Sequence, residues 1–552
     1  MEEILKNIIY TLLGTNKIKN NKFYFLCKIV LSLIFAFTIM LDSMLVFQGQ
    51  IYGTLEQIHF TQLELKNILI FILSVFVTYI ALSIFEIIVD KLEKAIYTQK
   101  QRKTKNIKVY FIVFLVILIA WLPYILSYFP GGIYADTMDA IRQITGEKPW
   151  NNNNPILYTF ILKIFVSIGN SMQLGFELFT IAQVLAMAGV IAYLIYWLYQ
   201  KNVSIKYLVL VTFYFAIFSL IPIYAISIWK DTPFCIALLL YIILIAETIY
   251  QDGKNLEKKS TIIQYLILMI LVCSLRNNGI YIIVTTTIIL AIIYRKRITN
   301  KLKAFCIVQA LGIITIYIIQ GPIYAKCGFE SKFIGSLGIP LQQMYYVIAD
   351  NGNITEEQKD FFENVYSIEK IKERYNPCIV DKINWATGFN YTYIEEHRKE
   401  VINIWFDMFF KNPKSYVKAY LLNTIGFWDI TKATTDGYIN PQMWNEDLKN
   451  IYNIEQIDYI EKLTGQSIKS IITPSAPISS AVFGFVAIFG CVLTIYKKRY
   501  KNLLIYLPAI LTWATVLIAA PLAFSLRYVY ILVLILPLGL ILPILNQEHR
   551  KN

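Results

Sequence analysis

Apolar runs of about twenty residues recur along most of this chain, and that repetition constrains its fold more than any other feature. A helix rising 1.5 Å per residue needs roughly 20 residues to cross a hydrocarbon layer of about 30 Å. Backbone groups inside such a layer must bond within their own segment, so each run predicts a spanning helix. About twelve runs qualify: Phe23–Leu41, Ile68–Val89, Val109–Tyr128, Phe176–Tyr199, Tyr207–Ile226, Phe234–Tyr250, Ile262–Leu275, Ile280–Tyr294, Ala304–Ile319, Ile478–Tyr496, Leu503–Ala520 and Tyr528–Leu545. With 57% hydrophobic and 16% charged residues, the expected fold is an all-α polytopic membrane protein. Phe23–Leu41 has no small-residue cleavage site after it and reads as a signal anchor.

A net charge of +14 raises nucleic acid as a partner, but the distribution of the charge argues against it. The cations gather in short loops between apolar runs: Lys91, Lys94, Lys100, Arg102, Lys103, Lys105 and Lys108; then Arg295, Lys296, Arg297, Lys301 and Lys303; then Lys497, Lys498, Arg499 and Lys501. This is the pattern of loops kept in the cytoplasm beside a bilayer. A further run, Pro155–Gly169, would move the second cluster outside if it crossed. It is short, carries Lys163 and starts at a proline suited to a first helical turn, so it is expected to lie on the outer surface. Both termini then fall on the cytoplasmic side of a cell membrane.

Four units follow: two N-terminal spans and a basic loop (1–108), a spanning core (109–325) with a first external loop (129–173), an extracytoplasmic helical segment (326–474), and three last spans (475–552). Within the external segment, Glu356–Val365, Glu395–Phe410 and Asn412–Asp429 read as helices. Trp405, Tyr416, Tyr420 and Trp428 there suit a membrane interface. Cys327 and Cys378 share that segment and could pair, though nothing in the sequence requires it. His59, His397 and His549 are too scattered for a metal site.

The expected sidedness brings five polar features to one face: the loop "YFPGGIYADTMDAI", "SIWKDTP", "LRNNG", the external segment and "FSLRY". Asp136, Asp139 and Gln143 share one face of a short helix. Two readings of Asp136 stand: an N-cap with Asp139 as its capping partner, or a carboxylate that orients or deprotonates an acceptor or binds a divalent cation. Trp229, Lys230 and Asp231 fit either interfacial anchoring or a site. Arg276 and Arg527 sit at span ends, where a guanidinium grips either a lipid headgroup or a substrate phosphate. Charges deep in spans are few, chiefly Lys28 and Glu86, which counts against ion-coupled transport.

Taken with "NPILYT", "WKDTPF", "RNNGIY", "GIPLQQMYYVI", "NPKSYVKAYLLNTIGFW" and "LRYVY", the loop motif resembles the GT-C superfamily of integral-membrane glycosyltransferases. Within it, the chain is similar to an uncharacterised bacterial family from about Val109 onward. The resemblance implies a GT-C-like fold with two surface helices in the first external loop. It also implies a polyprenyl-phosphate sugar donor, a cell-envelope acceptor and Asp136 as the catalytic carboxylate. Lys230, Arg276 and Arg527 would hold the donor phosphate, with Asp139 assisting at the catalytic position. Gln143, Asn153, Asn154, Asp231, Asn277, Gln342 and Gln343 would meet the substrate or support those residues. The resemblance leaves room for a divalent cation without naming its ligands. Relatives tend to carry histidines where this chain has Asn153 and Asn154, and asparagine cannot shuttle a proton. The competing expectation is a non-enzymatic transporter or export partner for lipid-linked saccharides.

Overall fold

A computed structural model describes residues 22–48, 51–96, 106–297, 300–329, 332–433, 447–473, 477–519 and 522–545. Lys100, Arg102, Lys103, Lys105, His549 and both chain termini lie outside those residues. Helices dominate, and among the described residues seven are long and apolar enough to cross a membrane: Lys22–Met44, Leu65–Glu93, Lys108–Ser127, Met172–Gln200, Asp231–Tyr250, Leu302–Lys326 and Tyr500–Ala519. The architecture is that of an all-α polytopic membrane protein.

The other expected spans are shorter helices, and proline explains the clearest case. Tyr207–Ile226 is realised as Ile205–Ile217, a break, and a short helix Leu220–Ala225. The ring of Pro222 would collide with the carbonyl four residues earlier, on Phe218. Phe218 is where the chain leaves the helical region, with φ −67° and ψ 100°. Pro155–Gly169 forms the helix Ile156–Gly169, whose 14 residues reach only about 21 Å. It packs tightly on Met172–Gln200, because a Cβ at Gly175 would come within 2.4 Å of the Val166 Cα.

Among the described residues three apolar cores hold the molecule. The largest joins helices from Lys108 onward and takes in Val89 of the second helix. A second fills the 326–474 segment and takes in Leu41, Ile51, Ile58 and Phe60 from the first helix and the loop after it. Asn376 Nδ2 ties that loop down, donating to the Ile51 and Gly53 carbonyls at 2.9 and 2.8 Å. A small third core sets Tyr24, Leu31 and Leu82 against Ser480–Tyr496. Beside it the buried Lys28 ammonium meets Glu86 at 2.6 Å, which accounts for the two deep charges.

The external helices fall where expected, with a break between Pro413–Asn423 and Ile425–Trp428. Their aromatics correct the sequence reading. Tyr416 and Trp428 are buried in the second core, and Trp405 donates its indole N–H to Gln343 Oε1 at 2.8 Å. These rings pack the external segment instead of lining a membrane interface. Cys327 is exposed and Cys378 buried, both as free thiols.

One unforeseen element positions the site. Gly132–Ile133 pairs in parallel with Ser227–Ile228, which sets the start of the Asp136 helix beside the Lys230 segment. Gly131 makes that approach possible: its φ is 122°, and a Cβ there would lie 2.1 Å from the Ile226 carbonyl oxygen.

Candidate active site

Asp136 is the second residue of the helix Ala135–Thr145, and the preceding cap, Tyr134, is extended and makes no side-chain cap bond. The N-capping reading of Asp136 therefore fails. Its carboxylate instead turns toward two cations: Arg527 Nη1 donates to Oδ2 at 2.8 Å, and Lys230 Nζ lies 3.4 Å from the same oxygen. Burial pushes this carboxyl up, but Lys230 and Arg527 overcome it and hold Asp136 well below the usual carboxylate range. Asp136 is an anion at neutral pH.

The external segment fixes both sides of this contact. Gln456 Nε2 donates to the Gly131 carbonyl at 3.1 Å, and Ile457 bridges to Phe129. On the other side Ala523 N donates to the Cys378 carbonyl and Gly426 N to that of Ala523, both at 3.0 Å. Arg527 lies over the Trp229 ring, 4.5 Å from its centroid, and Tyr134 stacks on the same ring at 3.9 Å. These rings leave the guanidinium few alternative positions.

Asn154 links the cations to the second aspartate. Its Oδ1 accepts from Lys230 Nζ at 2.6 Å, while Nδ2 donates to Asp139 Oδ2 and to the Asp136 carbonyl, each at 3.2 Å. An amide suits this position because one planar group supplies both donor and acceptor. Asp139 also accepts from Gln143 Nε2 at 2.9 Å and from Lys148. It thus braces the loop, and Gln143 in turn accepts from Asn151 N at 3.1 Å. Asn153 Oδ1 accepts from Lys332 N at 2.9 Å, which joins the loop to the external segment.

Beside this cluster lies an open cavity of about 210 Å³, lined by Lys230, Asp231, Arg276, Asn277, Asn153 and Tyr528 among others. At roughly 30 Å³ per water it would hold about seven waters, or a phosphate group with a few waters. Arg276 Nη1 donates to the Tyr528 carbonyl at 3.0 Å and stands 3.4 Å from Asp231 Oδ1. Asp231 is 1% exposed, and both its oxygens lack a hydrogen-bond partner among the described residues. Asn277 Nδ2 donates to the Asn152 carbonyl at 3.3 Å. Of the charged side chains that line the cavity, Lys230 and Arg276 against Asp231 leave one surplus positive charge, which favours an anionic ligand.

Gln342 and Gln343 do not join this cluster through any described contact. Gln342 Nε2 donates to the Asn376 carbonyl at 2.6 Å and Gln343 Nε2 to that of Tyr416 at 3.3 Å, both inside the second core. Sequence reasoning missed Asp381, which burial lifts to about 6 and which feels both Arg527 and Asp136. No local signal marks it, since its approach comes from tertiary folding alone. Tyr134 was also missed, though it had a signal: like Trp229 in "WKDT", it stands just ahead of the segment carrying its acid, in "YADT".

The donor set does not fit a divalent cation. Asp136 and Asp231 each face a cation already, and among the described residues no three of His, Cys, Asp and Glu converge.

A family model described as a family of unknown function (DUF6020) matches residues 149–552, most of the chain, so the chain belongs to that family. No curated protein and no solved structure matches it. Lys230, Arg276, Arg527, Asn153 and Asn154 fall within the matched stretch, and Asp136 and Asp139 precede it.

Proposed function

We propose that this member of the family is a membrane glycosyltransferase that moves a sugar from a polyprenyl-phosphate donor to an extracytoplasmic acceptor such as a surface polymer, lipid or protein. The observation that carries the reading is the ionised Asp136 gripped by Arg527 and Lys230, next to a cavity with surplus positive charge. The donor's phosphate would enter that cavity toward Arg276 and Lys230, with its prenyl chain along the apolar helices. The acceptor hydroxyl oxygen attacks the anomeric carbon from the face opposite the phosphate. As the bond from that carbon to the phosphate oxygen breaks, the phosphate takes the electron pair, the hydroxyl proton passes to Asp136, and configuration inverts.

In the resting site Asp136 is a weak base, because two cations stabilise its anion. A bound phosphate competes for Lys230, so the hold on Asp136 loosens and its proton affinity rises toward the working range. The base is thereby activated only when the donor is present. The test uses purified protein in nanodiscs with radiolabelled polyprenyl-phosphate sugars and envelope acceptors. Wild type should transfer label, and Asp136→Asn should lose about 10²-fold or more. Full transfer by Asp136→Asn would remove Asp136 from the chemistry. Label that crosses the bilayer without being transferred would favour the transporter instead.

A further inference from the structure

At the end of the bundle away from Asp136, a second cavity of about 590 Å³ opens between Met172–Gln200, Asp231–Tyr250 and Lys259–Leu275. Its character changes along its length. Leu240, Leu244 and Ile267 line the deep part, and Asn255 and Lys258 the mouth. From Leu240 to Gln251 the wall follows about 16 Å of helix, close to the roughly 15 Å hydrocarbon depth of one leaflet. Ile267 is 51% exposed, so the cavity is open sideways to whatever surrounds the helices.

A buried acceptor at the mouth indicates what is missing. Asn255 is 3% exposed, and its Nδ2 donates to Thr248 Oγ1 at 3.0 Å. Thr248 Oγ1 in turn donates to the Leu244 carbonyl at 2.9 Å and meets the Tyr265 hydroxyl at 2.8 Å, where either oxygen can donate. Asn255 Oδ1 is then left without a donor among the described residues. Lys258 stands exposed at the same mouth, while Glu247 is already held by Lys201 and Trp197. The mouth therefore offers a cation and an unmet acceptor above an apolar channel of leaflet depth.

We propose that this cavity binds one glycerophospholipid from the leaflet at the basic-loop end, with its phosphate on Lys258 and a headgroup hydroxyl donated to Asn255 Oδ1. One acyl chain lies along Leu244, Leu240 and Ile267. The proposal is independent of the transferase reading. Phosphatidylglycerol carries the required hydroxyl donors and a net negative charge, and phosphatidylcholine neither, so the hydrogen bond is separated from charge by Asn255→Leu, which removes the acceptor and leaves Lys258 in place.

The test is native mass spectrometry of the full chain extracted from nanodiscs containing both lipids. Wild type should retain one phosphatidylglycerol, preferred about fivefold over phosphatidylcholine, the scale of one hydrogen bond. Asn255→Leu should cut the preference to what charge alone gives, and Ile267→Trp, which fills the channel, should abolish retention. Ile288→Trp, on another exposed helix face, should change neither. No retained lipid in wild type, equal retention of the two lipids, or retention unaffected by Ile267→Trp would overturn the proposal. If Asn255→Leu does not fold, the lipid preference of wild type and the Ile267→Trp result decide.

Discussion

Asp136→Asn deletes the one charge that Arg527 and Lys230 share, and its effect on stability can be worked out apart from any activity. An ion pair with charge centres about 4 Å apart is worth roughly 4 kcal/mol at an effective dielectric of 20. Removing one partner of a fully buried pair costs about 3–5 kcal/mol, and of an exposed pair less than about 1 kcal/mol. The Asp136 and Arg527 side chains are 23% and 17% exposed, between those limits, so about 2 kcal/mol is expected. Thermal unfolding of purified protein should show a midpoint about 2 °C lower. The sign with pH is fixed as well. The folded-state carboxyl is held below its unfolded value, so its contribution is complete above about pH 4 and is lost only as pH falls through the folded value. Apart from a small change near pH 6, where Asp381 titrates beside Asp136, the gap between wild type and variant should stay open from pH 8 to 5 and close only in stronger acid. Arg527→Gln and the double variant complete the cycle, and the double loss should be smaller than the sum by about 1.5 kcal/mol or more. Additive losses, or a gap that already closes between pH 8 and 6, would refute the clamp.

Burial lifts the Asp381 carboxyl to about 6, so the folded chain holds more protons than the unfolded chain between about pH 4 and 6, and stability falls as pH rises through that window. Wild type should therefore melt higher at pH 5 than at pH 7, and Asp381→Asn should reduce the difference. Gly131→Ala forces a Cβ against the Ile226 carbonyl at φ 122°, so it should lower the melting midpoint and expose the 129–134 backbone to hydrogen exchange; unchanged protection would remove the argument for glycine there. Glu86→Gln takes the carboxylate from the buried Lys28 and should cost about 3–5 kcal/mol, whereas Lys28→Met with Glu86→Met should recover most of it in the same melts.

The apolar runs made the helices legible, since a stretch with no polar partner for its backbone can only close its hydrogen bonds internally. Their ends were less legible. Pro222 is visible in the sequence, yet whether such a proline kinks a helix or ends it depends on the neighbouring chain, here the Gly132–Ile133 strand that receives Ser227–Ile228. The meeting of Asp136, Lys230, Arg276 and Arg527 was readable because sidedness alone brings their loops to one face. The Asn153–Asn154 pair was legible as a departure but not as a solution. Only the geometry shows that Asn154 needs a donor for Asp139 and an acceptor for Lys230 on one side chain. Gln342 and Gln343 misled because a polar pair in an apolar helix looks the same whether it meets a ligand or a backbone carbonyl in a core.

A cluster built only for stability would be expected to satisfy its own groups, and here one does not. Asp231 is buried with both oxygens lacking hydrogen bonds among the described residues, while Arg276 stands 3.4 Å away and donates instead to the Tyr528 carbonyl. An unsatisfied buried acceptor costs about 1–3 kcal/mol, more when charged, so its presence at a cavity wall fits a ligand that brings hydroxyl donors next to its phosphate. The two explanations separate in Asp231→Asn, which keeps the shape and removes the charge. If the carboxylate serves a donor sugar, unfolding should shift by no more than about 1 kcal/mol, because little hydrogen bonding is lost, while sugar transfer falls about tenfold or more. If it serves only to neutralise Arg276, the variant should lose about 3 kcal/mol or more, and the folded fraction should transfer at the wild-type rate. The second outcome would assign Asp231 to the scaffold and leave Arg276 and Lys230 as the charged groups that line the cavity for a ligand.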